Sequence, residues 1–211
     1  MRQSGSRFRT LSNGGKRLFV VISGPSGVGK TTVVKRLLED KRFVLSVSAT
    51  TRAPRKEEKN GVDYYFVTEE QFKRMIENGE LLEWASIFGH NYGTPKSELK
   101  RASDTGKILV LEIDVQGVEQ LKNKNLKGVY IQIVPPSESE LMKRLRGRHT
   151  ETEEELFARF NQAKYELSRK DLFDYFVVND VLDRAVEEIK DIIEKAIKEK
   201  RDGPSKRSVK D

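Results

Sequence analysis

The 211-residue sequence predicts an α/β fold, a parallel sheet with helices on both faces and an α+β insertion within it. Three observations predict this. An apolar run at 18–22 leads directly into a glycine-rich turn and then a helical repeat. Strand-like and helix-like segments alternate through most of the chain. Between about 48 and 95 that alternation fails, because the strands there are short and close together.

The turn is Gly24-Pro25-Ser26-Gly27-Val28-Gly29-Lys30-Thr31, which fits the phosphate-loop pattern without exception. The run before it reads as a buried parallel strand. Val33, Val34, Leu37 and Leu38 after it recur at helical spacing. Strand, turn and helix together aim successive backbone N–H groups and a positive helix end at one anion. Glycine lets the backbone approach phosphate oxygens with no side chain in the way. Lys30 can reach the outer phosphates, and the Thr31 hydroxyl is placed to ligate Mg²⁺. These residues point to a nucleoside triphosphate site of the P-loop NTPase class, in a three-layer α/β/α architecture.

Residues 43–48 read as a second strand, followed by a long polar, basic loop at 49–63 broken by Pro54 and Gly61. A loop of that length in a compact domain is usually functional. A short strand at 64–67 follows, then a helix at 69–78 with Thr68 as N-cap and Phe72, Met75 and Ile76 on its apolar face. Residues 81–88 form a strand containing Trp84, 89–94 a turn and short strand, and Pro95 opens a helix to about 103. The run 107–114 is the strongest buried-strand signal after the first. A helix at 115–122 and a strand at 129–134, stopped by Pro135-Pro136, come next. Ser137 caps a helix to about 148, with Glu140 completing a capping box. The acidic run from Thr150 starts another helix, 175–178 is the last strand, and 181–200 is a long amphipathic helix.

Charge and composition exclude several classes. The chain has no cysteine and two histidines, so neither disulfides nor a Cys/His metal centre is expected. The net charge of +7 sits in the tails: residues 1–17 carry five basic and no acidic side chains, and 198–211 carry six basic and three acidic ones. The tails read as solvated ends, so no specific nucleic-acid partner is expected. No run approaches the length of a membrane span, and the N-terminal stretch lacks the apolar core of a secretory signal. The cytoplasm is the expected compartment.

The inserted segment carries Ser48-Ala-Thr-Thr-Arg52-Ala-Pro-Arg55-Lys-Glu-Glu58-Lys-Asn-Gly61-Val-Asp63-Tyr64. Two arginines three apart beside a kinking proline can converge on a phosphate, or can line a solvated basic loop. This pattern resembles the signature of guanylate kinases, which phosphorylate GMP. The resemblance continues through Leu82-Glu83-Trp84, Tyr92-Gly93-Thr94, Glu112-Ile-Asp114-Val-Gln-Gly117, Arg144-Leu-Arg-Gly-Arg148 and Val178-Asn179-Asp180. It covers about 16–195 in consistent order.

The resemblance implies a division of roles. ATP would lie on Gly24, Pro25, Ser26, Gly27, Val28, Gly29, Lys30, Thr31 and Thr32, with Arg144, Arg148 and Asn179 beside it. GMP would be held at its phosphate by Arg52, Arg55, Tyr64 and Tyr92, with Glu58 in the same set, and read at its base by Ser48, Glu83 and Thr94. Guanine shows donors at N1 and N2 and an acceptor at O6, which a carboxylate and two hydroxyls complement. Adenine would leave Glu83 unpaired. Lys30, Arg52, Arg148 and Arg159 would carry the phosphoryl transfer, with Mg²⁺ as cofactor. Asp114 suits a contact with GMP or with Mg²⁺-bound water, or equally a helix cap before Val115. Arg146 lies between lid arginines and can simply be solvated.

The implied organisation is a basic tail at 1–16, a domain at 17–200 and a second tail at 201–211. Within the domain, the core is 17–47, 97–143 and 160–200, the GMP-binding insertion 48–96 and the lid 144–159. The expected reaction is ATP-dependent conversion of GMP, and of dGMP, to the diphosphate by direct in-line transfer, within purine nucleotide metabolism. Family members that serve as peptide-binding modules have a degraded phosphate loop, and this one is intact. Ala49 and His149 depart from the usual residues, the second bearing on lid closure.

Overall fold

Among the described residues, nine strands divide into two sheets, and the division explains the irregular stretch of the sequence. The computed structural model describes residues 18–87, 89–147 and 152–202. Strand β1 (Phe19–Ser23) is wholly buried, as a continuous β-branched and apolar run predicts for the middle of a parallel sheet. It lies between β7 (Ile108–Glu112) and β8 (Val129–Val134), and β2 (Phe43–Leu45) and β9 (Tyr175–Val178) flank them. The order is β2-β7-β1-β8-β9, and every pairing is parallel.

Helices cover both faces. On one, α1 (Lys30–Leu37) and α7 (Leu182–Asp202) bury Val33, Val34, Leu37, Ala185, Val186, Ile189 and Ile193 against the sheet. On the other, α3 (Ser97–Asp104) and α4 (Val115–Asn123) bury Ala102, Val115, Val118 and Leu121. A smaller core of Leu141, Leu145, Leu156 and Ala163 joins α5 (Glu138–Arg146) to α6 (Glu153–Ser168). In this open parallel sheet, the edge carrying the strand C-termini is where ligands are expected.

The second sheet has the order β4-β3-β6-β5, from β4 (Tyr64–Phe66), β3 (Ser48–Thr50), β6 (His90–Pro95) and β5 (Leu81–Ile87). Helix α2 (Glu69–Glu77) packs Phe72 onto Ala49 and Leu81. Its cap is as expected from sequence: Thr68 and Gln71 form a reciprocal capping box.

Three expectations need correction. The single strand expected over 43–48 is two strands in different sheets. Ser46 N–H still pairs with the Val110 carbonyl, but the Val47 N–H is taken by the buried Glu98 carboxylate at 2.8 Å, so the chain leaves the core sheet there. Pro95 does not open a helix. It closes β6, because the Lys96 N–H continues the ladder to the Glu80 carbonyl, and α3 starts at Ser97. Ser137 caps α5 through the Glu140 N–H, but the Glu140 carboxylate turns to Arg144 instead of completing a box. The acidic run does start α6, as expected, with Thr152 as cap and Glu155 as its box partner; Thr150 lies outside the described residues. A short 3₁₀ turn at Lys170–Leu172, unforeseen in the sequence, precedes β9.

Candidate functional site

The phosphate loop joins the C-terminal end of β1 to α1, at the sheet edge where ligands are expected. No side chain caps α1 and no acidic residue stands in its first turn, so its leading N–H groups face the loop's hollow with the positive end of the helix. Gly29 is the residue this geometry requires. Its φ is +90°, and a Cβ there would stand 2.6 Å from Asn179 Nδ2.

The loop is held from within and from two sides. Lys30 Nζ donates to the Gly24 carbonyl. Asn179 Nδ2 donates to the Val28 carbonyl at 2.8 Å. Arg144, from α5, donates through one guanidinium nitrogen to the Asn179 carbonyl at 3.1 Å and to the Val28 carbonyl at 3.4 Å, and through Nε to Glu140 at 2.9 Å. Arg159, from α6, donates to Ser26 Oγ at 2.8 Å. Pro25 and Val28 are buried within the loop, and Thr31 and Thr32 are exposed on the first turn of α1. Arg148 and His149 lie outside the described residues. Arg146 is mostly exposed, as expected of a solvated side chain, with the Glu153 carboxylate at 3.8 Å.

Acidic groups surround Lys30. Burial pushes its ammonium below the usual lysine range, and Glu166, Glu112 and Asp114 push it back up. Thr31 Oγ1 donates to Glu112 Oε1 at 2.6 Å. Glu112 and Glu166 were not foreseen as site residues. Glu112 has a legible signal, an acid ending a buried strand beside the phosphate loop. Glu166 has only its place on α6, two turns beyond Arg159 and therefore on the same face. Burial raises its carboxyl above the ordinary range.

The residues expected to hold GMP gather on the second sheet. Arg52 Nη2 donates to both oxygens of Glu58, at 2.8 and 2.9 Å, and its guanidinium lies 5.5 Å from the Tyr64 ring centre and 5.9 Å from that of Phe66. Tyr64 and Tyr92 meet edge to face at 6.1 Å. The Glu58 carboxylate also accepts from the Arg55 backbone N–H at 2.8 Å, while the Arg55 side chain is exposed. Arg52 holds the Glu58 carboxyl below the usual carboxylate range, followed by the Arg55 N–H. Ser48 is half-buried and is the register partner of Tyr64.

Glu83 is 5% exposed. Its Oε1 accepts from the Thr94 hydroxyl at 2.6 Å and from the Thr94 N–H at 3.1 Å. Burial pushes its carboxyl up, against the pull of Thr94, and the charge of Asp114 adds to the rise. Asp114 is the N-cap of α4, accepting from the Gly117 N–H at 2.9 Å. That supports the capping alternative and leaves its second oxygen outside the cap. Asp114 caps α4 at Gly117, which lies against Glu83 Oε2, and it stands two residues past Glu112, the partner of Thr31, so it lies between the phosphate loop and the second sheet.

Oxygen donors fit a hard divalent cation. The Thr31 hydroxyl, Glu112 and the nearby Asp114 are of the right chemistry, and no cluster of three or more His, Cys, Asp or Glu ligands occurs among the described residues. A Mg²⁺ held mainly by phosphate oxygens and water needs only one or two protein donors.

The chain is similar to known proteins over most of its length. A family model described as guanylate kinase matches residues 16–196. The chain is 50% identical over 177 residues to a guanylate kinase of Caldanaerobacter subterraneus subsp. tengcongensis, covering 83% of this chain and 86% of the relative. It is 48% identical over 178 residues to one from Clostridium tetani, covering 84% and 86%. A crystal structure of guanylate kinase from Anaplasma phagocytophilum superposes with a TM-score of 0.67 at 37% identity, over 86% of this chain and 87% of that one.

Proposed function

The chain belongs to the guanylate kinase family, and from that premise we propose how its site divides the work of phosphorylating GMP with ATP. The activity is that of an ATP-dependent GMP kinase, forming GDP. The single observation that carries the site reading is the position of Asp114. It caps α4 at Gly117, against the buried Glu83, and stands two residues past Glu112, which accepts from Thr31 of the phosphate loop, so a phosphate-loop nucleotide and a base at Glu83 are proposed to share one cleft.

In this reading, residues 24–32 cradle the ATP phosphates. Lys30 neutralises the transferring phosphoryl group with Arg159, and Arg148 is assigned to the same task by resemblance alone. Arg144 and Asn179 act first on the loop's own carbonyls and so hold its shape. Arg52, Arg55, Tyr64 and Tyr92 take the GMP phosphate, while Glu58 orients Arg52 instead of touching the anion. Ser48, Glu83 and Thr94 read guanine. The acceptor oxygen is already ionised at neutral pH, so no general base is needed, and in-line transfer rests on positioning and charge neutralisation. Thr31, with Glu112 and Asp114 nearby, would hold Mg²⁺, which would supply charge neutralisation at the phosphates when bound. The proposed contacts are to base and phosphate, with none at the 2′ position, so dGMP is also a substrate.

The proposed units are the core, the insertion 48–96 and the lid 144–159, whose closure over ATP excludes water. No described helix is long and apolar enough to cross a membrane, and we place the reaction in the cytoplasm. The test is ADP formation from Mg-ATP with GMP, dGMP, AMP, CMP, UMP or no acceptor. Turnover confined to GMP and dGMP is expected. Equal turnover with another base would overturn the assignment of Ser48, Glu83 and Thr94.

A further inference from the structure

Glu83 sits on β5, the edge strand of the second sheet, and that edge is paired with a helix of the core. The Trp84 N–H donates to Gln120 Oε1 at 3.1 Å, and Gln120 Nε2 donates to the Trp84 carbonyl at 2.5 Å. One amide side chain thus makes both bonds that a neighbouring strand would make. One turn on, Lys124 Nζ donates to the Leu82 carbonyl at 2.7 Å. The residues on either side of Glu83 are both fastened to α4 and its C-cap.

A third contact reaches Glu83 itself. A Cβ at Gly117 would stand 2.8 Å from Glu83 Oε2, so only glycine lets the helix approach so close. Gly117, Gln120 and Lys124 are three and four residues apart and share one helix face. That face meets β5 where the strand is irregular. Leu81 pairs with Pro95 and Glu83 with Thr94, so Leu82 and Glu83 together oppose one residue of β6. Such a bulge re-aims side chains and locally breaks the ladder. Here Leu82 turns into the core cluster with Val115, Val118 and Leu121, and Glu83 turns to Thr94.

We infer that Gln120 and Lys124 are positioning residues for base selection, fixing the β5 bulge so that Glu83 presents its carboxylate in one orientation. Neither is assigned a contact with nucleotide. They act through Glu83, and the inference rests on the reading of Glu83 as the guanine acceptor. Hydrogen-bond discrimination needs the acceptor held to about half an ångström. A bulge fastened only by its own sheet leaves that carboxylate room to turn toward another base edge. Because α4 is capped by Asp114, the fastening also ties base reading to the element that borders the phosphate loop.

The experiment measures kcat/KM for GMP and for AMP in Gln120→Leu, Lys124→Met, Lys124→Arg and Glu83→Gln, with thermal melting of each. Gln120→Leu and Lys124→Met are expected to lower the GMP-over-AMP ratio about tenfold through KM for GMP, with KM for ATP unchanged. Lys124→Arg keeps a donor and is expected to recover most of what Lys124→Met loses. In a Glu83→Gln background, Gln120→Leu is expected to cost no further selectivity. Two results overturn the inference alone: a full ratio in both α4 variants while Glu83→Gln loses it, or an equal loss of GMP and ATP use that tracks melting temperature. An unchanged ratio in Glu83→Gln overturns the reading of Glu83 and the inference together.

Discussion

At the phosphate loop, Lys30, one nitrogen of Arg144 and the Asn179 amide all end on backbone carbonyls, those of Gly24, Val28 and Asn179. In the cleft of the second sheet, Arg52 ends on the Glu58 carboxylate and Glu83 on the Thr94 hydroxyl. A carbonyl fixes a cation without neutralising it; the charge of Lys30 is offset through space by Glu166, Glu112 and Asp114, and that of Arg144 by Glu140. A carboxylate neutralises its partner, so Arg52 stays compensated until a phosphate competes for it. The first region depends on backbone angles and a few invariable shapes. The second depends on pairs of side chains, each of which can be altered by degrees.

The comparison breaks most sharply at Lys30. Lys30→Ala removes the one cation rooted in the loop and is expected to lower turnover about a thousandfold, while GMP affinity measured by calorimetry is retained. A Cβ in the loop should be nearly as harmful. Gly29→Ala forces a side chain into a φ of +90° and against Asn179, with an expected loss of about 1–3 kcal/mol in a denaturant titration and weaker ATP binding.

On the sheet side the effects should be graded. Glu58→Gln releases Arg52 from its ion pair and is expected to raise KM for GMP roughly tenfold, with KM for ATP unchanged. Stability should fall only modestly, because the pair is partly buried and the amide keeps one acceptor for Arg52.

The smallest effect is one of pH. Burial raises the Glu83 carboxyl above its unfolded value, so the buried acid favours the fold at low pH, and that contribution fades as pH rises from the unfolded to the folded pKa. Base reading runs the other way, because the acceptor must be ionised. Specificity for GMP is expected to fall with acid at a pH above the ordinary carboxylate range. The titration of the GMP phosphate itself cancels when wild type is divided by Glu83→Gln, so a flat quotient would contradict the assignment.

The same contrast sets what could be read from sequence. Residues 24–31 are contiguous, and strand, turn and helix are local matters, so that half of the site was visible as a motif. Strands β1, β7 and β8 were legible because buried parallel strands are mostly apolar, and the half-exposed edge strand β9 because its residues are aromatic and β-branched. Arg52 meets Glu58 within one loop and Glu83 meets Thr94 across the β5–β6 hairpin, pairings set by the course of the backbone and not by residue type, and resemblance alone brought them together. The split between β2 and β3 was hidden because the cause, Glu98 taking the Val47 N–H, lies 51 residues away. Glu112 and Glu166 were missed for a related reason, since each acts on a loop far from it in the chain.

The central claim is that the phosphate loop supplies transfer and the second sheet supplies choice of base. The most direct measurement is the ratio of kcat/KM for GMP over AMP in wild type and in Glu83→Gln, at saturating Mg-ATP and neutral pH. The account predicts a ratio lowered by about two orders of magnitude in the variant, with the KM for ATP unmoved. An unchanged ratio, or a loss shared equally by both acceptors, would contradict it.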